Sequence, residues 1–600
     1  MIFNLLVIAM IVVPPLIWSA KGKGYGLFSA LLAAVCALAA GAIAFAAWEP
    51  TASLLMGLSK DSSTFVGNAL QSSAMAIGLI GPYLLALGLL RLGVDSLVRA
   101  NLDFADNVNS LGGILFGAVV SLITAGVATT GLAFLPLGPT MLGYTPIVEK
   151  DGSPVYSSKL WVPVDGLVVG LYEHLSGAAF ATSTSLAAYK PDAHVTGHMQ
   201  RMTFGGATRN TLLPEHFEVL GGYRVDGSIG SLLQDTFTLS KSGAPVRQSV
   251  FWPDGSEPAE GSTLQGYFVK FNSGAKEKAG GTIMGVGQIR LVTRDESGSS
   301  KAVHPVSCIA PPEKGASGFY RFRFDAPETF ISSKGGASEA VFGFEFVVPP
   351  GHSPVSLLVK NIRVDVSEGS SVKQVEPYAS AEARDAAIRD RSLLAAVGAG
   401  GGGIDGPIDR TESVQIAKGR GNSFEAVEPG PQLPDSMAFN KSNRGPLEIS
   451  EENLIVGGEH TFTSAQLKER GIDKNLRVES FFVPDDVVMI KIQMSLRGAR
   501  SLIGRSLETA QRVLPPLLVD NAGQTYEAVG FVYTEGDITR VRYTPGRTVR
   551  ALSELPALSR TKTDQSLWLL FTPTKGATIT SFNLGNRELA SFGEGIKTSR

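Results

Sequence analysis

The sequence predicts a multidomain membrane protein: an N-terminal four-helix transmembrane α module, then all-β, antiparallel β-sandwich-like extracytoplasmic domains. Three observations carry this. Up to about residue 140 the chain holds four long apolar stretches. After about residue 190 it turns polar and rich in Gly, Ser, Thr and Pro. In that second part, short runs alternate apolar with polar residues between turn signals.

At 600 residues the chain is too long for one domain. Its net charge of −2 gives no footprint for a polyanion, so nucleic acid is not an expected partner. Cys36 lies in an apolar run and Cys308 in the polar part, which argues against a disulfide between them.

The four-span module covers residues 1–140. A helix needs roughly 20 apolar residues to cross hydrocarbon. The spans run over about 3–20, 26–48, 73–90 and 112–137. The first contains Pro14-Pro15 and should kink. It has no basic n-region and carries Trp18 near its end, so it reads as a retained span rather than a cleaved signal. In the fourth, Gly113, Gly117, Ser121 and Ala125 recur every four residues and share one helix face. Such small-residue stripes let helices approach closely in lipid. The partner of this stripe is another span or a second copy of the chain.

Orientation follows the basic residues of short loops. Lys21 and Lys23 lie between spans one and two, and Arg91 and Arg99 between spans three and four. Lys60, between spans two and three, is offset by Glu49 and Asp61. The first and third loops are therefore expected in the cytoplasm and the C-terminal region outside, periplasmic in a bacterium with two membranes.

The N-terminal part resembles the colicin V production protein (CvpA) family of small bacterial inner-membrane proteins. The resemblance rests on "AKGKGYG" between spans one and two, on "LLRLGVDSLVRANLDF" after span three, and on "DNVNSLGGILFGAVVSLI" leading into span four. It covers about residues 1–190. It implies an integral inner-membrane protein linked to export or envelope upkeep, with no catalytic residues to carry over.

Residues 141–200 read as a connector. Asp165, Glu173 and His174 make a fifth span costly, so an interfacial helix is expected, with Trp161 and Tyr172 near the headgroups. Residues 201–367 form the first β domain, with strand patterns at Gly266 to Phe271, Gly287 to Arg294, Gly318 to Asp325, Val341 to Val348 and Leu357 to Val366. Residues 368–450 read as a short polar helix (Glu376 to Val397) and a flexible Gly-rich linker, with 398–445 disordered. Residues 451–600 form the second β domain. It repeats features of the first at one offset, 225 residues: "RDESG" and "VDNAG", "FGFEFVVPPG" and "LWLLFTPTKG", Phe346 and Phe571.

No catalytic constellation, cofactor site or metal site emerges. "GAGGGGIDG" has no strand before it or helix after it and reads as a hinge rather than a phosphate loop. His194 and His198 are four apart, but Thr196-Gly197 weakens a helix there. "GASGF" is off the nucleophile spacing, and Asp485-Asp486 and Glu451-Glu452 fall in turns. "DNAGQTY" is turn chemistry, not a calcium loop. The strand aromatics Phe319, Tyr320, Phe322, Phe324, Phe342, Phe344 and Phe346 are expected mostly in the core, and one outward row would be free to bind sugar or peptide. The expected partners are thus the lipid bilayer, a second copy through the helices, and an envelope protein or glycan. The rival expectation is a membrane-anchored hydrolase, or a carbohydrate-active or carbohydrate-binding protein.

Overall fold

The computed structural model describes residues 1–19, 26–59, 65–98, 102, 104–138, 140–150, 153–156, 160–179, 186–201, 211–227, 236–239, 245–248, 258–277, 280–311, 319–324, 330–333, 335–398, 408–411, 413–416, 427–467, 471–494, 514–559, 562 and 564–598.

Four helices pack together at the N-terminus: α1 (Ile2–Trp18), α2 (Leu27–Leu58), α3 (Phe65–Leu97) and α4 (Asp106–Ala133). The last three are long and apolar enough to cross a membrane, while α1 is a shorter apolar helix of 17 residues. Apolar side chains also cover the outside of this group: Leu6 and Val13 on α1, Val35 and Ile43 on α2, Leu85 and Leu89 on α3 are exposed. A helix apolar all round belongs in lipid or deep in a core. Because Pro50 is accommodated within it, α2 continues ten residues past the end expected at Trp48.

The helices have two distinct ends. At one, Gly26 N–H donates to the Trp18 carbonyl, Leu27 N–H donates to Asn109 Oδ1, and Arg91 reaches Ser29. At the other, the Met1 ammonium donates to the Gly143 carbonyl, and Trp48 meets Phe134 edge to face at 5.0 Å. The β region is docked on this second end.

The connector forms α5 (Val164–Gly177), α6 (Leu186–Tyr189) and α7 (Ala193–Gln200). Helix α5 bridges α4 and α2. A Cβ on Gly126 would stand 2.3 Å from Val168, and one on Gly41 would stand 2.0 Å from the Tyr172 hydroxyl, so these two glycines admit α5. Tyr172 is therefore buried and donates to the Leu38 carbonyl at 2.9 Å; it is not at a headgroup surface. Trp161, Leu167 and Leu171 face outward. "HVTGH" does form a helix, α7, because Gly197 allows contact with α4: its Cβ would lie 2.8 Å from Ala133.

In the first β region a six-stranded sheet runs in the order 320–323, 305–310, 340–348, 263–271, 217–225, 373–374. A four-stranded sheet runs 362–365, 352–359, 289–295, 300–303. Phe342, Phe344 and Phe346 of the larger sheet share one core with Leu291, Leu357 and Val359 of the smaller, and that core continues into the helices through Trp48 and Phe134. The run expected as one strand, Leu357 to Val366, is a hairpin. Lys360 and Asn361 both have positive φ, the requirement of a tight two-residue turn.

The second face of the six-stranded sheet is covered as well. Helices Ala381–Arg389 and Ser392–Ala396 lay Ile388, Leu393 and Leu394 on Tyr223, Phe268 and Ile309. The strand aromatics Phe324, Phe342, Phe344 and Phe346, expected in the core, are buried on the opposite face of the sheet. Arg384 also enters the sheet, donating to Glu345 at 2.6 Å, with Arg321 and Ser307 bonded to the same carboxylate. Residues 368–398 thus belong to the first β region rather than to a linker.

The rest of the expected linker belongs largely to the second β region. Val414–Gln415 pairs with Arg587–Lys597, Val427–Pro429 pairs with Ile490–Gln493, and Phe439–Asn440 pairs with Arg477–Val478. Of the expected linker, residues 399–407, 412 and 417–426 lie outside the described residues. The two β regions touch directly: Ser338 N–H donates to the Thr525 carbonyl at 2.8 Å, and Thr574 Oγ1 to the Gly335 carbonyl at 2.8 Å.

The two β regions share the order of four strands in the smaller sheet and of three in the larger, where 305–310, 340–348, 263–271 correspond to 530–535, 565–571, 490–493. The smaller sheet of the second has five strands in the order 414–415, 587–597, 578–584, 516–520, 525–527, and its last four stand 225 residues after their counterparts in the first. A bulge falls between Pro354 and Ser356 in one and between Ile579 and Ser581 in the other. Gln265 opposes Phe346 as Ile490 opposes Phe571. Asp295 and Asp520 cap equivalent turns, accepting from Ser299 N–H and Gln524 N–H at 2.8 Å each. Pairing within the smaller sheet differs by two residues: His352 opposes Asp295, but Ile579 opposes Asp520. A two-residue shift keeps every side chain on its own face.

Candidate functional site

The stripe on α4 faces α1. A Cβ on Gly113 would lie 2.5 Å from the Trp18 carbonyl, and one on Gly117 would lie 3.0 Å from Pro15 Cα. Ser121 is buried and donates back to the Gly117 carbonyl at 2.8 Å, and Ala125 packs with Phe3 and Val7. Of the orienting residues, Lys21, Lys23 and Arg99 lie outside the described residues. Arg91 is ion-paired to Asp95 at 2.9 Å and donates to Ser29 Oγ, at the end of the helices away from the β region.

Buried charged side chains gather at the other end, where α6 and α7 are packed between the helices and the first β region. Arg363 Nε lies 2.9 Å from Glu49 Oε2 and joins the β region to α2. Arg290 Nη1 donates to Thr196 Oγ1 at 2.8 Å, joining it to α7. Backbone also meets closely here, since a Cβ on Gly287 would lie 2.2 Å from the Met199 carbonyl.

Lys190 follows α6 and is fully buried. Its ammonium stands 4.8 Å from the Trp48 ring centre and 5.4 Å from that of Phe134, a cation–π arrangement. Burial pushes it down to about 8; Glu49 opposes this, while Arg363 and Arg290 add to it. Burial likewise pushes Arg290 down to about 10, against the pull of Asp192. It holds His304 well below the usual histidine range, with Arg290 adding to the effect. His198, packed edge-on to Tyr144, is held at about 3 by burial and by the charges of Arg201 and His194. Both histidines are thus neutral at pH 7. Glu173 on α5, which accepts from Asp192 N–H at 2.7 Å, is pushed up to about 7 by burial.

His194 and His198 sit on α7, but among the described residues no three His, Cys, Asp or Glu side chains come together to hold a metal ion. Nothing local in the sequence marks Lys190, Arg290 or Arg363. A lysine or arginine beside a strand or short helix reads as a solvated residue. Only the docking of the β region onto the helices buries these three.

The chemistry and fold define a class: a membrane protein with three helices long and apolar enough to span, followed by a β-rich region of several sheets. No family model, no curated protein and no solved structure matches the chain.

Proposed function

We propose that the chain is a multi-pass inner-membrane protein in which four helices, a CvpA-like module, display two related β-sandwich domains on the periplasmic side. Its role is structural or interaction-based: envelope maintenance or secretion, with an envelope protein or glycan as partner. One observation carries this reading. The ends of the helices that hold the first and third loops, where Lys21, Lys23, Arg91 and Arg99 fall, lie opposite the end on which the β region docks. Basic loops stay in the cytoplasm, so the β region belongs across the membrane.

Counting α1 as a span is supported by its reach. Its start meets Leu142 and Gly143, and its end meets Gly113, so it runs antiparallel to α4 along most of its length. At 17 residues it meets the lower limit for a span, roughly 17–25 residues. The outward Trp161, Leu167 and Leu171 support an interfacial α5. The shared strand order supports one β fold used twice, and two sheets over a common core in each support the sandwich.

The test is topology. A phosphatase reporter, active only outside the cytoplasm, fused near residue 300 is expected to be active, and a cytoplasm-dependent fluorescent reporter at the same place dark. The reverse result overturns the reading.

A further inference from the structure

The junction between the helices and the first β region encloses two cations with donors to spare. Arg290 is 2% exposed and uses only Nη1, on Thr196. Its Nε and Nη2 have no hydrogen-bond partner among the described residues. Those two N–H groups are parallel and form the edge with which a guanidinium grips an oxyanion through two bonds at once. Lys190 is 0% exposed, and its ammonium likewise has no hydrogen-bond partner among the described residues, resting on aromatic faces. The two are brought together because α6, which ends just before Lys190, packs on the strand 289–295 that carries Arg290. Buried cations are ordinarily paired, and a buried donor left unmade is costly. The compensating carboxylates nearby do not fill the need. Glu49 gives Oε2 to Arg363 and keeps Oε1 buried without a hydrogen-bond partner, near enough to act on Lys190 but not bonded to it, and Asp192 lies in electrostatic reach of Arg290 without an ion pair to it.

We propose that this junction is a binding site for one small oxyanion, a carboxylate or phosphate group, gripped through two bonds by the Nε–Nη2 edge of Arg290 and neutralised by Lys190. Trp48 and Phe134 form its apolar wall, and Thr196 fixes the guanidinium plane. The site is closed by α6 and α7, so it suits a small group rather than a macromolecular surface. It draws residues from both the helices and the β region. Filling it therefore strengthens the docking of one on the other, whichever side of the membrane the β region faces.

The experiment uses the full chain in nanodiscs of zwitterionic lipid. It is titrated calorimetrically with inorganic phosphate, acetate or chloride at constant ionic strength, and in a separate arm offered vesicles rich in phosphatidylglycerol. Saturable binding of about one phosphate or acetate per chain is expected, with chloride ineffective. Arg290→Lys keeps the charge but loses the two-bond edge, and should weaken binding about tenfold or more. Lys190→Met, which tests the second cation without touching the first, should weaken it as well. Binding of vesicles alone would identify a lipid phosphate as the source of the same group. The proposal is overturned by absence of saturable oxyanion binding to the wild type. Binding equally strong in whichever of the two variants folds would overturn it too.

Discussion

Arg363 Nε stands 2.9 Å from Glu49 Oε2, across 314 residues of chain, and this pair joins the β region to helix α2. The arginine is also 5.8 Å from the ring centre of Tyr189, whose hydroxyl donates to the Phe45 carbonyl. Both charged side chains are largely covered, 31% and 17% exposed, so the pair is screened less than a surface ion pair. Glu49→Ala and Arg363→Ala are each expected to loosen the docking. A double-mutant cycle on thermal unfolding in detergent should return a coupling of about 1 kcal/mol. Additive effects would mean that the pair contributes nothing.

Gly113 and Gly117 set the distance between α1 and α4. Even a methyl group at Gly113 would press on the Trp18 carbonyl, which is backbone and has little freedom to yield. Gly113→Leu together with Gly117→Leu should displace α1 and cost several kcal/mol, at about 1–3 kcal/mol per overpacked site. Cysteines placed at Val7 and Ala125, which share a core cluster, should cross-link in the parent and fail to do so in the double variant.

Glu345 is buried between Arg321 and Arg384, with Ser307 and Tyr223 also donating to it. Burial alone would raise its pKa, but the two guanidiniums and the two hydroxyls hold it at about 2. Its folded pKa lies below the unfolded one, near 4.3. The network's contribution is therefore complete above that value and is lost as pH falls toward 2. Arg384→Met should cost about 3–5 kcal/mol, the usual penalty for leaving a partner charge buried. It should also move the acid unfolding midpoint to higher pH. An unchanged acid midpoint would sink this assignment.

Glu173 behaves in the opposite sense. Its folded pKa of about 7 lies above the unfolded value, so the native state favours the proton. Its contribution to stability is full below about 4.3 and disappears as pH rises through 7. Glu173→Gln keeps the acceptor for Asp192 N–H and cannot titrate. Between pH 5 and 8 the wild type should lose melting temperature relative to this variant. Parallel curves would show that Glu173 does not carry the effect.

Gly336 lies where the two β regions meet. It has φ of +75°, and a Cβ there would stand 1.7 Å from the Thr572 carbonyl. Gly336→Val should part the two β regions without unfolding either. Proteolysis of the variant should release a stable C-terminal fragment that the parent withholds.

How much of this was legible in the sequence depended on the range of the interaction. Hydropathy placed the apolar helices, because transfer into lipid depends on each residue's own side chain. It missed the extension of α2 past Trp48, since Glu49 finds its partner only in Arg363. The four-residue stripe on α4 was visible as a pattern, but nothing local named α1 as its partner. Strand alternation and turn signals marked most strands, and the 225-residue offset is written in short motifs. The strand Pro305–Ala310 was missed because it is buried along its whole length and does not alternate. The described parts of the expected linker, such as 427–429 and 439–440, form strands for a related reason. A segment rich in Gly, Pro and Ser looks unstructured until strands elsewhere offer it edges to pair with.

The sequence by itself determined that the chain begins with membrane-length apolar helices and continues as β structure with a repeated pattern, because both follow from local periodicity and composition. Only the tertiary structure decided what the charged residues do. Lys190, Arg290 and Arg363 are ordinary basic residues in the one-dimensional chain. They become a buried cationic junction because α6 and α7 are closed between the helices and a sheet far away in sequence, and burial is a property of what packs against a residue, not of the residue.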